Sequence, residues 1–396
     1  MLNSFSVQSF KSLVDVSIDL GRINLLIGAN GCGKSNILEA LGVLGAAAFG
    51  RVDDETLLRR GVRPGVPRLY KTAFPGGGGK PHISFSAYSQ SGASFEVSLW
   101  NPLDNPGPAW RFKTERLHPG AAEADITRGT KTSDEYNREQ GLAALETVRL
   151  RTGNPALALM DALRSYGIYS PNTPCLRGLV QDPQTRDPVG LAGGRLPEAV
   201  QELLAAGRKD PGLAGMLEEA RDLIDWAHEF SAASSTEVPL SPSAARSAMV
   251  IRFVDRFMAS QRNVLTGYDA SEGALYILFC AVLALHPKAP RCLAIDNIDQ
   301  ALNPRLAMRL VEAVCSWTVK VNGDRQWLIT AHNPAVLDGL PLQDPNVRLF
   351  AVDRNTKGHT TVRRIDLDAA MNARPDHTWT LSRMWMNGLI GAVPNV

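Results

Sequence analysis

Residues 28–35 have the types and the spacing that bind a phosphate chain. They read Gly-Ala-Asn-Gly-Cys-Gly-Lys-Ser and match the pattern GxxxxGK[ST] at every defined position. Glycines let a backbone wrap closely around an anion, a lysine neutralises its charge, and a serine hydroxyl can bind Mg²⁺. The alternative is a chance glycine-rich turn. We predict that the chain binds ATP and Mg²⁺, with nucleotide contacts from Asn30, Gly31, Cys32, Gly33, Lys34, Ser35 and Asn36.

A phosphate-binding loop needs a carboxylate at the end of a neighbouring strand to hold Mg²⁺ together with the loop hydroxyl. Asp296 fits this requirement because the four residues before it, Cys292 to Ile295, are apolar or small. The alternative is an aspartate that serves only a turn. We predict that Ser35 and Asp296 are the magnesium ligands.

The elements around these residues alternate between strand and helix. Residues 23–27 form a short apolar run typical of a buried strand, and a helical pattern begins at Ser35. Farther along, a strand at 291–296, a helix at 304–319 and a strand at 326–330 indicate a parallel sheet. We also expect edge strands at 347–352 and 360–365.

The rest of the chain divides into an N-terminal and a middle part. Residues 1–20 predict two short strands, and residues 83–100 predict an antiparallel hairpin around Gln90. Residues 196–233 look helical, with a break near Asp210, and residues 250–258 look like a further helix. An apolar helix begins near Ser271.

Composition excludes several classes of protein. The chain has 396 residues, 42 Lys and Arg against 40 Asp and Glu, and a net charge of +2, which excludes a strongly basic nucleic-acid coat protein. Its longest apolar run, residues 274–285, is too short to span a bilayer. Five cysteines without a CxxC pair suggest a reducing compartment, so we expect a cytoplasmic protein with no membrane partner.

Four features in this order resemble the ABC-type ATPases, in particular the SMC, RecF and OLD-like branch. They are the P-loop, Ser271 with Gly273 at the start of an apolar helix, Asp296 after a strand, and His332 after the next strand. The phrase Phe10-Lys-Ser-Leu13 is similar to the same branch. The resemblance covers about residues 1–50 and 245–345.

The resemblance implies a role for each matching residue. Ser271 and Gly273 would be the signature element that completes the ATP site of a second protomer, although Ser271 also fits a plain helix N-cap. His332 would be the switch histidine that senses the γ-phosphate; the alternative is an ordinary loop histidine. Asp299 and Asn303 would lie in the loop that links the two nucleotide sites.

One position departs from the family pattern. The branch normally places a glutamate directly after the magnesium aspartate, and here that residue is Asn297. An amide can orient a water molecule but cannot accept its proton. Asp299 is the nearest carboxylate in sequence. We therefore predict Asp296, Asn297, Asp299 and His332 as the catalytic set and expect slow turnover.

Two basic stretches could contact DNA phosphates, or could be solvated loops. The first comprises Arg59, Arg60, Arg63, Arg68 and Lys71, and the second comprises Arg354, Lys357, His359, Arg363 and Arg364. We see no nuclease motif, so a nuclease effector would be a separate chain.

The predicted fold is an α/β P-loop NTPase: an ABC-type ATPase domain with a mixed sheet and a largely helical inserted subdomain. Its predicted parts are residues 1–122 with the P-loop, residues 123–244 as the insertion, and residues 245–396 with the signature, Asp296 and His332. The predicted function is an ATP-dependent homodimeric switch that acts on DNA or controls a nuclease, in phage defence or DNA repair. The alternative is an ATP-binding clamp or sensor that does not hydrolyse ATP.

Overall fold

The structure is a computed structural model that describes residues 1–75, 81–120, 124–129, 137–241, 247–321, 325–366 and 379–392. Its strands are β1 (Leu2–Phe10), β2 (Leu13–Asp19), β3 (Ile23–Ile27), β4 (Ile83–Ser89), β5 (Ser94–Trp100), β6 (Arg111–His118), β7 (Ile126–Arg128), β8 (Ile168–Tyr169), β9 (Ala227–Ser234), β10 (Met249–Asp255), β11 (Val264–Thr266), β12 (Cys292–Ile295), β13 (Gln326–Thr330), β14 (Val347–Arg354) and β15 (Thr360–Arg364).

The α-helices are α1 (Lys34–Phe49), α2 (Asp54–Leu58), α3 (Pro67–Tyr70), α4 (Leu142–Glu146), α5 (Pro155–Ser165), α6 (Thr173–Leu176), α7 (Leu196–Gly207), α8 (Pro211–Asp222), α9 (Glu272–Leu285), α10 (Pro304–Lys320) and α11 (Leu381–Met386). In the described residues, two 3₁₀ helices span Thr147–Arg149 and Pro334–Gly339. None of the described helices combines the length and the apolar character needed to cross a membrane.

The central sheet has the strand order β15-β14-β3-β13-β12-β8. All neighbours in it are parallel except β14 and β15, which form an antiparallel hairpin. Because the carboxyl ends of parallel strands meet at one edge, the residues that follow β3, β12 and β13 converge there. That edge carries the P-loop, Asp296 and the segment with His332.

Alternation along β3 assigns its side chains to the two faces of the central sheet. Ile23, Leu25 and Ile27 belong to the core cluster that contains α9 and α10, whereas Leu26 belongs to the cluster that contains α1. Every residue of β3 is buried, as expected for a strand covered on both faces. Residues 274–285 of α9 are also all buried, so this helix lies inside the protein.

A second sheet, β2-β1-β4-β5-β6-β7, is antiparallel. It confirms the two predicted N-terminal strands and the hairpin at 83–100. A third sheet joins β11, β10 and β9. The predicted helix at 250–258 is therefore wrong: residues 249–255 form β10. The predicted helix at 196–233 ends at Asp222, and β9 follows.

The prediction of edge strands after residue 347 is half right, because β14 lies inside the central sheet and β15 at its edge. The proposed insertion contributes β8 to the central sheet, next to β12. The two proposed domain boundaries, after residues 122 and 244, lie outside the described residues, and the three-part division stays a prediction.

Candidate nucleotide-binding and hydrolysis site

The P-loop connects the buried strand β3 to helix α1. Gly31 and Gly33 have φ angles of 76° and 117°, a region that side-chain-bearing residues rarely adopt. Lys34 is buried, and its ammonium donates to the carbonyls of Gly28 at 2.7 Å and Ala29 at 3.2 Å. Burial lowers the pKa of Lys34, and the negative charge of Asp296 opposes that shift. The loop thus holds a cation beside backbone N–H groups at a helix start, an arrangement suited to phosphate.

A serine and a carboxylate meet beside the loop. The Ser35 hydroxyl donates to Asp296 Oδ2 at 3.0 Å, and Thr330 donates to Asp296 Oδ1 at 2.5 Å. Mg²⁺ prefers hard oxygen ligands and usually keeps several waters, so one hydroxyl and one carboxylate beside substrate phosphates are sufficient. The donor set of Ser35 and Asp296 therefore fits Mg²⁺.

Asn297 has its backbone held by the side chains of two neighbours. Its φ of 61° lies in the left-handed region, which asparagine tolerates better than most residues. Its N–H donates to Thr330 Oγ1 at 2.8 Å, and its carbonyl accepts from the Tyr276 hydroxyl at 2.7 Å. Tyr276 belongs to α9, so these bonds tie the segment after Asp296 to the helix that follows Ser271.

Asp299 binds backbone rather than side chains. Its Oδ2 accepts hydrogen bonds from the N–H groups of His332, at 2.9 Å, and of Asn333. Its Oδ1 is buried and has no hydrogen-bond partner among the described residues. The geometry therefore gives Asp299 a means of positioning the segment that carries His332.

The His332 side chain is exposed at the same edge of the sheet. Desolvation by neighbouring atoms and the charge of Lys34 lower the pKa of His332, against the opposing charge of Asp299. The imidazole is therefore neutral near pH 7, and a neutral imidazole can donate from one nitrogen and accept at the other.

Ser271 and Gly273 begin α9. The Ser271 hydroxyl accepts from the Ala274 N–H at 3.4 Å, which is the N-cap geometry. A Cβ on Gly273 would lie 3.4 Å from both the Ala301 carbonyl oxygen and a Leu302 methyl. The start of α9 thus packs against the loop after Asp296. Ser271 is therefore an N-cap of α9, and one serine can serve both as an N-cap and as a signature element.

Several residues near the site were not predicted from the sequence. Glu39, one turn after Ser35 on α1, is buried and forms ion pairs with Lys11 and, at 2.5 Å, with Arg63. The Arg63 and Lys11 interactions lower the pKa of Glu39 although burial opposes them. Of the residues that were not predicted, only Glu39 could have been noticed in the sequence, because a charged residue interrupts the apolar run of α1.

Two others could not be found from local pattern. Thr330 is fully buried and joins Asp296 to Asn297, yet it looked like an ordinary strand residue. Ser170 follows β8, whose partner in the sheet is β12, so it lies at the same edge as Asp296. Its two-residue strand is too short to recognise in a sequence.

The structure also corrects the prediction that the first basic stretch, Arg59 to Lys71, could contact DNA with all of its basic residues. Arg60 and Lys71 are buried and donate to the carbonyls of Thr56 and Asn101. They are not available to DNA, unlike the exposed Arg59, Arg63 and Arg68. Gln90 lies in the exposed turn between β4 and β5, as the turn pattern predicted.

Comparison with known proteins identifies the family. Residues 23–338 match the family described as "AAA domain, putative AbiEii toxin, Type IV TA system". The chain belongs to this family. No curated protein matches it.

Two solved structures share the fold. One is an SmcHead bound to the C-winged helix domain of ScpA, with 13% identity, a TM-score of 0.54, and coverage of 94% of this chain and 99% of that one. The other is an Smc head domain with an extended coiled coil bound to the C-terminal domain of ScpA derived from Pyrococcus furiosus, with 12% identity, a TM-score of 0.51, and coverage of 94% and 98%. The family and the fold confirm the prediction of an ABC-type, SMC-like ATPase.

Proposed function

We propose that this protein is an ATP-dependent, dimerising ATPase switch that acts on DNA or controls a partner nuclease. The observation that carries the proposal is one hydrogen-bonded network at the edge of the central sheet. It links Ser35, Asp296 and Thr330 directly, and Lys34 lies in the same loop as Ser35. These groups could bind the phosphates, hold a metal ion and orient water in one place.

Each residue has a defined task in this proposal. Lys34 and the loop N–H groups bind the β- and γ-phosphates. Ser35 and Asp296 hold Mg²⁺, which neutralises charge that develops on the phosphate oxygens. Asn297, with its backbone held by Thr330 and Tyr276, orients the attacking water. His332 contacts the γ-phosphate, held in place through Asp299.

The second half of the site would come from another copy of the chain. Ser271 is exposed at the N-terminus of α9, where helix N–H groups and the hydroxyl can bind a phosphate. If this end meets the P-loop of a second protomer, ATP is buried between two copies. Binding of ATP would then favour the dimer by linkage.

The proposed biological setting is supported by the family description, which names a putative AbiEii toxin. This name supports a role in phage defence, with DNA repair as the other setting of the branch. The SMC head of similar fold is bound to a domain of ScpA, which supports a separate partner chain here. We propose the cytoplasm as its location.

One observation favours a second candidate function. Because Asn297 cannot accept a proton, the site could bind ATP and close without hydrolysing it. The protein would then be an ATP-binding clamp or sensor in a larger complex.

ATP binding itself is tested with Lys34→Ala. This change removes the buried cation of the P-loop, so we expect the Kd for Mg·ATP measured by calorimetry to rise at least about 100-fold, close to 2.7 kcal/mol. Lys357→Ala, in the exposed turn between β14 and β15, is the matched control and should bind like the parent. Equal ATP binding by Lys34→Ala and the parent would refute the assignment.

Hydrolysis distinguishes the two candidate functions. We expect slow release of phosphate by the parent in single-turnover reactions, accelerated by duplex DNA or by a co-purifying chain. Bound ATP that remains intact under all of these conditions would favour the clamp.

A further inference from the structure

The hairpin of β14 and β15 contacts the P-loop at several points. A Cβ on Gly28 would come within 2.2 Å of the Val352 carbonyl oxygen, so the loop begins in direct contact with β14. Arg354, the last residue of β14, donates from Nε to the Gly31 carbonyl at 2.8 Å. Thr360, the first residue of β15, contacts the loop at Cys32 and Gly33.

Thr360 joins the P-loop to the turn between β1 and β2. Its Oγ1 lies 2.7 Å from the Cys32 carbonyl and 2.7 Å from Ser12 Oγ, and its N–H donates to the Ser12 carbonyl at 2.9 Å. Ser12 Oγ also accepts from the side-chain amide of Asn36 at 2.8 Å. Thr360 and Ser12 are only 3% and 4% exposed, so water cannot replace these bonds.

Thr360 is the central hydrogen-bond donor of this network. Its Oγ1 donates to the Cys32 carbonyl and to Ser12 Oγ, and Ser12 Oγ also accepts from Asn36. Since a hydroxyl carries one proton, the two acceptors share it, and a carbonyl can only accept. Loss of the Thr360 hydroxyl would leave that buried carbonyl without this donor, which is costly in a dry environment.

Gly33 shows how closely the loop is fitted to these hydroxyls. A Cβ there would lie 2.2 Å from Thr360 Oγ1 and 3.1 Å from Ser12 Oγ. Hence Thr360 holds the peptide that joins Cys32 to Gly33 on the side of the loop that faces β15. The N–H groups of residues 33–35 are those that a P-loop directs at the phosphates.

We propose that Thr360 is a positioning residue for nucleotide binding: its hydroxyl fixes the Cys32 carbonyl and so holds the N–H groups of the P-loop in the orientation that binds the phosphates. This inference rests on the proposed ATP binding. Pre-organised donors bind more tightly because less ordering is required on binding.

The test compares three variants with the parent by calorimetry with Mg·ATP and Mg·ADP. Thr360→Val keeps the size of the side chain and removes the hydroxyl. Thr360→Ser keeps the hydroxyl. Thr361→Val makes the same change at the neighbouring exposed position of β15. We expect the Kd of Thr360→Val to rise about 10-fold for both nucleotides, with unchanged stoichiometry, and the other two variants to stay within about two-fold of the parent.

Other results would overturn the inference. A merely structural role would reduce the stoichiometry of binding and leave the Kd unchanged, because a misfolded fraction binds nothing. Equal Kd values for Thr360→Val and the parent would also overturn the inference. If Thr360→Val does not fold, Thr360→Ala removes the same hydroxyl with a smaller side chain and should weaken binding in the same way. No ATP binding by the parent would instead overturn the proposed function, and the inference with it.

Discussion

The carboxylate of Asp299 accepts a hydrogen bond from the backbone N–H of His332, with 2.9 Å between oxygen and nitrogen. The bond joins the loop after β12 to the loop after β13. It therefore connects the loop after Asp296, the proposed magnesium ligand, to the segment that carries His332, the predicted γ-phosphate sensor. A carboxylate engaged in this way is well placed to hold His332 and less well placed to remove a proton from water.

Substitution of Asp299 separates these two roles. Asp299→Ala removes both acceptor oxygens and should lower the ATPase rate about 10-fold, because His332 loses its support. Asp299→Asn keeps one oxygen that can accept, so we expect most of the rate to remain. Loss of about 10²–10⁴-fold in both variants would show that Asp299 is the general base instead. Phosphate release at saturating ATP is the measurement.

Substitution of Ser271 tests the second half of the site. Ser271→Arg places a bulky side chain at the exposed start of α9, and we expect it to block ATP-dependent association while the Kd for ATP changes little. Analytical ultracentrifugation with a slowly hydrolysed ATP analogue measures the effect. Ser260→Arg, exposed in the turn between β10 and β11, is the control. The proposal fails if nucleotide leaves the association state of the parent unchanged.

Substitution of Asn297 tests the predicted slow hydrolysis. Asn297→Glu should raise the basal ATPase rate, although glutamate is less suited than asparagine to a φ of 61°. Asn297→Asp supplies a carboxylate at a smaller backbone cost and should raise the rate as well. Asn297→Gly tolerates the backbone but carries no side chain, so it should be slower than the parent. Rapid hydrolysis by the parent, unchanged in all three, would mean that the catalytic position lies elsewhere.

The ion pairs of Glu39 predict a pH dependence of stability. The pKa of Glu39 in the folded protein lies below its ordinary value of 4.5, so its contribution is present above pH 4.5 and is lost as the pH falls through the folded pKa. Glu39→Gln should lower the free energy of unfolding by about 2 kcal/mol at pH 7. The difference from the parent should shrink below about pH 4.5. Urea unfolding at pH 7, 5 and 3.5 measures it, and a difference that is constant with pH would contradict the prediction.

Residues close together in the sequence were predictable from it. The P-loop needs only a strand, a glycine pattern and a helix in succession, and all three lie between residues 23 and 49. The strand before Asp296 could be recognised because full burial demands an unbroken apolar run.

Long-range pairing explains what the sequence could not predict. Apolar residues at 250, 251, 253, 254, 257 and 258 match a helical spacing, yet residues 249–255 pair with β9 and β11 and so adopt a strand. Thr360 and Ser12 are 348 residues apart, and no local pattern joins two hydroxyls over such a distance. The contacts of Thr330 and the position of Ser170 beside Asp296 likewise depend on which strands are neighbours.

The order of strands in the central sheet has a consequence for synthesis on the ribosome. β3 lies between β13 and β14, and Asn24 binds the Trp327 carbonyl across 303 residues. At roughly 5–20 residues per second, β3 waits on the order of 15–60 s for its first neighbour to be made. During that time a strand that is apolar except for Asn24 has neither of its edges paired, which invites aggregation. The nascent chain would therefore depend on chaperones, and a truncated N-terminal fragment should be insoluble.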